Sequence, residues 1–376
     1  MQNVFNTLER RGYVEQLTHP EEIKKLFEKE CVPFYIGIDP TADSLHVGHF
    51  ISLMVASHMQ RAGHKPIILM GGGTAIIGDP SGKTDMRKML TVEDIDNNVA
   101  QIKKQIEKFL SFEGPNAAII VNNGDWLRDL NYINFMREIG VHFSVNRMLA
   151  AECYKNRLET GLTFFELGYM LMQSYDFLYL HDHYGCKLEM GGNDQWSNII
   201  GGVELIRKIG AEDAYGFTFK LLTTKEGKKM GKTEKGALWL NPEKTSPYDF
   251  YQYWRNVADD DIENVMKLLT FIDVDEIEEM TKYKDERINE AKRRAAFEIT
   301  KLVHGEEAAI KAEEATKAMF EGKGNVEAME STKVEAGCTI TEALVNAGIA
   351  PSKGQAKTLI SQGAISLNDE KIDDIA

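Results

Sequence analysis

Two short segments carry residues suited to handling phosphate. The first is Leu45-His46-Val47-Gly48-His49. Its histidines lie at i and i+3, which puts both rings on one face of a helix. In a first helical turn they join the unpaired backbone N–H groups and the positive end of the helix dipole, both of which favour an anion. Gly48 leaves bare backbone beside them, so a flat ring or a phosphate can come close. Three readings stay open on these residues alone: packed histidines, half of a metal site, or a phosphate site. The metal reading needs a third ligand, and His58 and His64 fall at no recognisable ligand spacing. The second segment is Lys228-Lys229-Met230-Gly231-Lys232-Thr233. Six lysines and two glutamates lie between Lys220 and Lys235, a local excess of positive charge in a chain of net charge −14. A glycine-hinged basic loop suits the clamping of polyphosphate, and a solvated turn is the alternative.

Three further segments could line a small-molecule pocket. Gly78-Asp79-Pro80-Ser81-Gly82-Lys83-Thr84 ends like a phosphate-binding P-loop, but one residue is missing between its glycines, so the match fails. It still supplies a cation on a loop after a strand, or an ordinary surface loop. Tyr169, Gln173 and Asp176 sit at i, i+4 and i+7 among Phe, Leu and Met, a polar stripe on an otherwise buried helix. Buried polar groups need partners, which are either protein neighbours or a polar ligand. Gly191-Gly192-Asn193-Asp194-Gln195-Trp196 joins a strand end to a helix. Its glycines allow close approach, and Asp194 can accept hydrogen bonds from hydroxyl groups, although such residues are also common in turns.

The elements that position these groups alternate between strand and helix. FYIGI (34–38), KPIILMGGG (65–73), NAAIIVNN (116–123) and CKLEMGGNDQ (186–195) read as strands. A helix from near His46 to about Arg61, capped by Asp43 or Ser44 and stopped by Gly63, follows the first. Strands alternating with helices predict an α/β domain with a Rossmann-like, mostly parallel sheet, whose ligands bind at the carboxyl ends of the strands. From about Tyr248 the pattern turns helical and charged. The expected division is a catalytic domain over 1–225, a connecting basic loop over 226–247, an α-helical domain over 248–320, a linker over 321–338, and a small α+β tail over 339–376. The tail should hold two helices and a strand pair turning at Asn368-Asp369.

At 376 residues and 43% apolar composition, two or three domains are expected. The acidic net charge disfavours a global field for nucleic acid, so any such contact must be local. Four scattered cysteines without CxxC pairing suggest neither zinc ligation nor a disulfide framework. The polar start has no signal-peptide h-region, and no apolar run reaches membrane-span length, so a cytoplasmic protein is expected.

Taken together, HVGH and KMGKT, about 180 residues apart, resemble the two signature motifs of class I aminoacyl-tRNA synthetases. YIGIDPTADSLHVGH, IIGDPSGK, the Tyr169/Gln173/Asp176 helix, GGNDQW and KTSPYDFYQYW are similar to the bacterial tyrosyl members, over nearly the whole chain. The resemblance implies activation of tyrosine by ATP, followed by transfer to tRNA(Tyr). Under it, Tyr35 and Asp176 bind the substrate phenol hydroxyl, and Tyr169, Gln173 and Asp79 hold its ammonium group. Gly37, Asp39, Gly48, Gly192, Asp194 and Met230 frame the nucleotide, and Gln195 meets the reacting carboxyl end. Thr41, His46, His49, Lys83, Arg87, Lys229, Lys232 and Thr233 stabilise the phosphates. Mg²⁺ arrives with ATP as substrate, with no dedicated metal site and no tightly bound cofactor. The resemblance also implies a homodimer with residues 126–165 at the interface, and RNA contacts at the basic loop, Arg207, Lys208, Lys353 and Lys357. The tail resembles a small RNA-binding domain and stops before that domain's final strands. Glu189 stands where the family commonly has Gln, Asn193 where Ser is frequent, and Ser197 where Gly is frequent.

Overall fold

The computed structural model describes residues 3–81, 83, 89–211, 213–233, 236–320, 334, 337–367 and 370–372. Six strands form its main sheet: β1 (Val14–Leu17), β2 (Pro33–Ile38), β3 (Lys65–Met70), β4 (Ile119–Asn122), β5 (Leu188–Gly192) and β6 (Tyr215–Phe219), in the order β1-β6-β5-β2-β3-β4. All neighbours run parallel except β1, which pairs antiparallel with β6. This is the doubly wound sheet the alternation predicts. From β2 the chain winds outward through β3 and β4, then returns on the other side through β5 and β6. The reversal lies between β2 and β5, where such sheets open a crevice at the strand ends.

The central strands are apolar because both faces are covered. Phe34, Ile36, Ile67, Ile68, Leu188 and Met190 are all buried. Strands β1 and β6 lie outside the four runs expected from sequence. β1 is a four-residue edge strand, half-buried along most of its length, so VEQL carries no apolar signature. β6 contains Gly216, where a Cβ would come within 2.4 Å of Ile199 on a neighbouring helix. That close approach requires glycine and blurs the strand pattern.

Helix α1 (Val47–Arg61) follows β2, α2 (Phe164–Tyr184) precedes β5, and α3 (Trp196–Lys208) follows it. α1 is buried along most of its length between the sheet and the helices that follow residue 246. Its N-cap is His46, not Asp43 or Ser44 as expected from capping preference. Ser44 is instead buried and packed against Gln105, whose Oε1 accepts from the Leu45 N–H. Gly63 takes a positive φ just past the helix end, as its stop role requires.

The segment from Pro247 on is helical, with α4 (Pro247–Arg255) and α5 (Ile288–His304) packed together. It is not set apart from the sheet. Residues 1–313 form one compact unit, and residues 314–376 the second. One apolar core runs from Phe5 and Phe27 through Phe50 and Met54 to Phe250, Trp254, Met266 and Ile299. Arg11 strengthens the joint. Its guanidinium donates to the carbonyls of Lys267, Thr270 and Ile272 at 2.9, 2.7 and 2.5 Å, and the Tyr13 hydroxyl donates to the Leu268 carbonyl. A cation at the end of helix Ile262–Leu269 satisfies carbonyls that have no intrahelical partner.

In the second unit, helices Ile340–Asn346 and Lys353–Ser361 pack Leu344, Ala356 and Ile360 together, and Ser366–Leu367 pairs antiparallel with Glu370–Lys371. The expected linker lies outside the described residues apart from 334, 337 and 338, and so does the expected turn at Asn368-Asp369. No helix among the described residues is long and apolar enough to cross a membrane.

Arg11→Met removes three charge-assisted hydrogen bonds and leaves buried carbonyls unpaired. It should lower the stability of the first unit by about 2–4 kcal/mol, read as a drop in the midpoint of urea unfolding. An unchanged midpoint would show that the contact does not hold the sheet to the helices.

Candidate active site

A cavity of about 390 Å³ opens at the carboxyl ends of β2 and β5. Its wall includes Gly37 in β2, Asp39 and Thr41 after it, and His46, Gly48 and His49 at the start of α1. Asp79 and Lys83 come from the loop after β3, Tyr169 and Gln173 from α2, and Gly192, Asp194 and Gln195 from the end of β5. Lys229 and Met230 of the basic segment complete it. Most of the residues singled out from sequence therefore line one cavity. Tyr35 and Asp176 lie deeper, each 1% exposed, and are not part of the lining. Arg87 is outside the described residues. Lys232 and Thr233 are placed by their backbone, in β7 (Lys232–Thr233), which pairs with β8 (Gly236–Ala237).

The two histidines hold one another and the helix start. His46 Nδ1 accepts from the Gly48 N–H at 2.9 Å, and His49 Nδ1 accepts from the His46 N–H at 3.2 Å. This is a capping box built from imidazoles, with ring centroids 4.0 Å apart. Both Nδ1 atoms act as acceptors, so in the neutral rings the protons sit on Nε2. Each ring then presents one N–H donor away from the backbone. Burial lowers the pKa of His46, and nearby Lys83 lowers it further. The Gly48 backbone has less to do with a ligand than sequence suggests, because a Cβ there would lie 2.7 Å from the His46 ring. Glycine is needed first to seat the imidazole. Among the described residues no group of three or more His, Cys, Asp or Glu stands together as a metal site.

The basic segment is fastened to the same helix start. The Val47 N–H donates to the Leu238 carbonyl and the Leu240 N–H to the Leu45 carbonyl, at 3.0 and 2.8 Å. Gly231 has φ +82°, and a Cβ there would meet the Val47 side chain at 2.8 Å. Its N–H donates to the Tyr253 hydroxyl of α4 at 2.8 Å.

The deep end of the site is a connected polar network. Asp39 accepts from the Tyr169 hydroxyl at 3.0 Å and from Thr74 Oγ1 at 2.8 Å. Asn123 Nδ2 donates to Thr74 Oγ1 and to Asp176, and Trp126 Nε1 donates to the other Asp176 oxygen, both Asp176 contacts being 2.8 Å. Asp79 accepts from Gln195 Nε2 at 2.7 Å and from the Ser81 N–H, and Asn198 donates to Gln195. Sequence reasoning missed Thr74, Asn123, Trp126 and Asn198. Asn123 at a strand end, and Asn198 three residues from Gln195, were the available signals. Asp39, expected beside the nucleotide, is bonded to Tyr169, which was expected beside the ammonium group. Burial pushes the Asp176 carboxyl well up against the pull of its two N–H donors. It also raises the Tyr169 and Tyr35 phenols, reinforced by nearby carboxylates.

Candidate RNA-contact cations are partly engaged. Arg207 pairs with Glu204 and Lys353 with Glu342, each at 2.8 Å, and Lys208 donates to the His142 carbonyl.

A doubly wound sheet, imidazoles on the helix after β2 and a glycine-hinged basic segment on the same cavity together define a class I tRNA synthetase. The family model for class I tRNA synthetases (W and Y) matches residues 28–321, and that for the tyrosine–tRNA ligase SYY-like C-terminal domain matches residues 321–376. The chain is 61% identical to a tyrosine–tRNA ligase of Clostridium perfringens, over 100% of this chain and 93% of that protein. It is 59% identical to one from Acetivibrio thermocellus, over 99% and 92%. A C-terminally truncated mitochondrial tyrosyl-tRNA synthetase of Aspergillus nidulans matches with a TM-score of 0.76 at 27% identity, covering 85% of this chain and 95% of that one. The chain belongs to the tyrosine–tRNA ligase family.

The imidazole arrangement predicts a specific tautomer. In ¹⁵N spectra of histidine-labelled protein, His46 should carry its proton on Nε2 and titrate below the ordinary value of about 6.5. Gly48→Ala should abolish that signature by displacing the ring. An Nδ1–H tautomer in the unsubstituted protein would contradict the cap.

Proposed function

We propose that the chain activates L-tyrosine with ATP, forming tyrosyl-adenylate and pyrophosphate, and transfers tyrosine to the 3′-terminal adenosine of tRNA(Tyr). The observation that carries this reading is the single cavity that joins the paired imidazoles, the basic segment and the Tyr169/Gln173 face of α2.

In the first step the tyrosine carboxylate attacks the α-phosphate of ATP in line, and pyrophosphate leaves. The carboxylate is already ionised, so no general base is needed, and catalysis rests on positioning and on stabilising developing charge. Tyr35 and Asp176 recognise the phenol hydroxyl. Tyr169, Gln173 and Asp79 hold the ammonium group, and Gln195 the carboxyl end. A buried site built around a hydroxyl leaves polar groups unpaired when phenylalanine enters; tyrosyl-tRNA synthetase is itself the standard example of that discrimination. Gly37, Asp39, Gly192 and Asp194 frame the ribose and adenine, with Gly48 and Met230 beside them. Thr41, His46, His49, Lys83, Arg87, Lys229, Lys232 and Thr233 face the phosphates, and ATP enters as its Mg²⁺ complex. In the second step a hydroxyl of the terminal ribose attacks the adenylate carbonyl and AMP leaves.

The domain roles follow. Residues 1–225 supply the chemistry, 226–247 the phosphate clamp, 248–320 support for that clamp, and 339–376 an RNA contact in the cytoplasm. The segment around 126–165 forms a homodimer interface. Ile133, Val141 and Phe164 are 69%, 70% and 72% exposed there, which is costly for large apolar side chains left in water. tRNA binds through local basic groups against an acidic background.

Purified protein should catalyse ATP–pyrophosphate exchange with tyrosine. Exchange driven by tryptophan instead, or by no amino acid, would sink the reading. Asp176→Ala should sharply reduce kcat/KM for tyrosine. His46→Ala should lower kcat about 10²-fold with little change in tyrosine affinity, because it removes a donor aimed at transition-state charge. A loss of tyrosine affinity instead would reassign His46. Joint substitution Ile133→Asp and Phe164→Asp should convert a dimer to a monomer in sedimentation velocity; a monomeric unsubstituted protein would refute the interface.

A further inference from the structure

Glu189 lies on β5 opposite Tyr35 of β2 in the parallel register, and it is 1% exposed. It reaches the cavity wall beside Gln173 of α2. Gln173 Nε2 donates to Glu189 Oε1 at 2.9 Å. Three buried polar atoms are left here without a hydrogen-bond partner: Gln173 Oε1, Glu189 Oε2 and the Tyr35 hydroxyl. The Tyr35 hydroxyl faces Glu189 closely enough for each to shift the other's ionisation, so these two can pair with one another or with a ligand, while Gln173 Oε1 has no protein group to turn to. Orphaned buried polar groups are costly and rare, and three in one place mark a surface shaped for a polar ligand.

The chemistry of the pair fixes a direction. An amide beside another amide can be satisfied either way round, by donating or by accepting. An ionised carboxylate only accepts. Beside Glu189, Gln173 must therefore turn its NH₂ toward the carboxylate, which leaves its carbonyl oxygen as the unpartnered acceptor on the cavity-lining residue. A carbonyl oxygen suits an ammonium donor, whereas an NH₂ group would repel one. We propose that Glu189 is a positioning residue for amino-acid recognition: its acceptor-only carboxylate locks the Gln173 amide with Oε1 toward the substrate ammonium and adds a negative charge behind it. The proposal rests on the cavity being the tyrosine site.

Ionisation supports the assignment. Burial raises the Glu189 carboxyl to about 7, against the lowering effect of Tyr35 and Gln173. The other titratable groups facing it are Tyr35 from β2, Asp176 from α2 and Cys186 just before β5, all buried and all raised. Helix α3 presents only Gly202, where a Cβ would lie 3.0 Å from Oε2. Below about pH 7 Glu189 is protonated, so both the lock and the charge are lost. Above it they are present. Ammonium binding should therefore strengthen as pH rises from 6 to 8.

The test compares two competitive inhibitors of tyrosine-dependent exchange. Tyramine keeps the ammonium group without the carboxylate, and 3-(4-hydroxyphenyl)propionate keeps the carboxylate without the ammonium. Glu189→Gln is isosteric and removes a buried charge, so folding should survive, as an unchanged thermal midpoint will verify. In this variant the tyramine Ki and the tyrosine KM should rise about tenfold at pH 8, the scale of one charge-assisted contact, while kcat and the propionate Ki stay within about twofold. The fall in tyrosine KM between pH 6 and 8 should vanish. Equal weakening of both inhibitors, or an unchanged tyramine Ki with the pH slope intact, would overturn the role of Glu189 while leaving the enzyme reading standing. Absence of tyrosine exchange in the unsubstituted protein would remove both.

Discussion

The site depends on a short backbone joint. Leu45–Val47, entering α1, is hydrogen-bonded to Leu238–Leu240, just beyond the basic segment. Two pieces of chain far apart in sequence are thereby pinned side by side at one helix terminus. The His46 and His49 rings cap that terminus, and Gly231 packs its bare backbone against Val47. The Tyr253 hydroxyl accepts the Gly231 N–H from α4. Without this joint the imidazoles and the lysines would still exist, but nothing would make them face the same anion. The joint also accounts for the single core linking sheet and helices: helices that carry Tyr253 must be fixed to the sheet for the loop to be placed.

Behind the joint, the pocket is held by hydrogen bonds that chain one buried group to the next. Tyr169 is set by Asp39, Asp39 by Thr74, and Thr74 by Asn123, which also sets Asp176. Trp126 completes the Asp176 shell. Buried networks of this kind are rigid because breaking one bond leaves a desolvated group unpaired. The hydrogen bonds named here converge on carboxylates, Asp39 and Asp176, so the network is rich in acceptors and suits donors. A substrate ammonium and a phenol hydroxyl are donors. The part of the cavity proposed for the phosphates is the reverse, with imidazole N–H groups, a helix start and lysines.

Much of this was legible in the sequence, and what was not has physical reasons. The Tyr169/Gln173/Asp176 stripe shows in helical periodicity and the polar segments at strand ends show as motifs, whereas Tyr35, Gly37, Asp39 and Thr41 were named only through the resemblance to the synthetase family. Groups that act through another group, such as Asn123 and Trp126, leave no periodic trace, because only the fold brings them to Asp176. Strand β1 was hidden because an edge strand need not be apolar. The helix cap was misplaced because Asp and Ser are the usual caps, while histidines seldom accept from their own turn. The segment after Pro247 read as a separate helical domain because amphipathic periodicity reveals an apolar face and not its partner. Here the partner is α1 and the sheet, through Trp254 and Met266.

The two ends of the cavity are built from different materials, and this divides the labour of the enzyme. In the proposed reaction the amino-acid end is carried by a central sheet and a 21-residue helix, and its polar groups are largely buried and, apart from the atoms around Glu189, bonded to one another. Such a surface cannot adapt, which is what discrimination by one hydroxyl requires, because an adaptable pocket would re-pair its polar atoms around the wrong substrate. The end proposed for the phosphates is carried by short loops with exposed lysines, Lys83 and Lys229. Charge that develops only in the transition state is best met by donors that approach without first having to be desolvated in a rigid slot. The capped imidazoles stand between the two regimes. They are fixed like the first, so they need no reorganisation, and in the proposed reaction their Nε2–H groups serve the phosphates of the second. A chain that recognises its substrate through rigid hydrogen bonding and drives its chemistry through electrostatics therefore needs one fixed element common to both, and the start of α1 is that element.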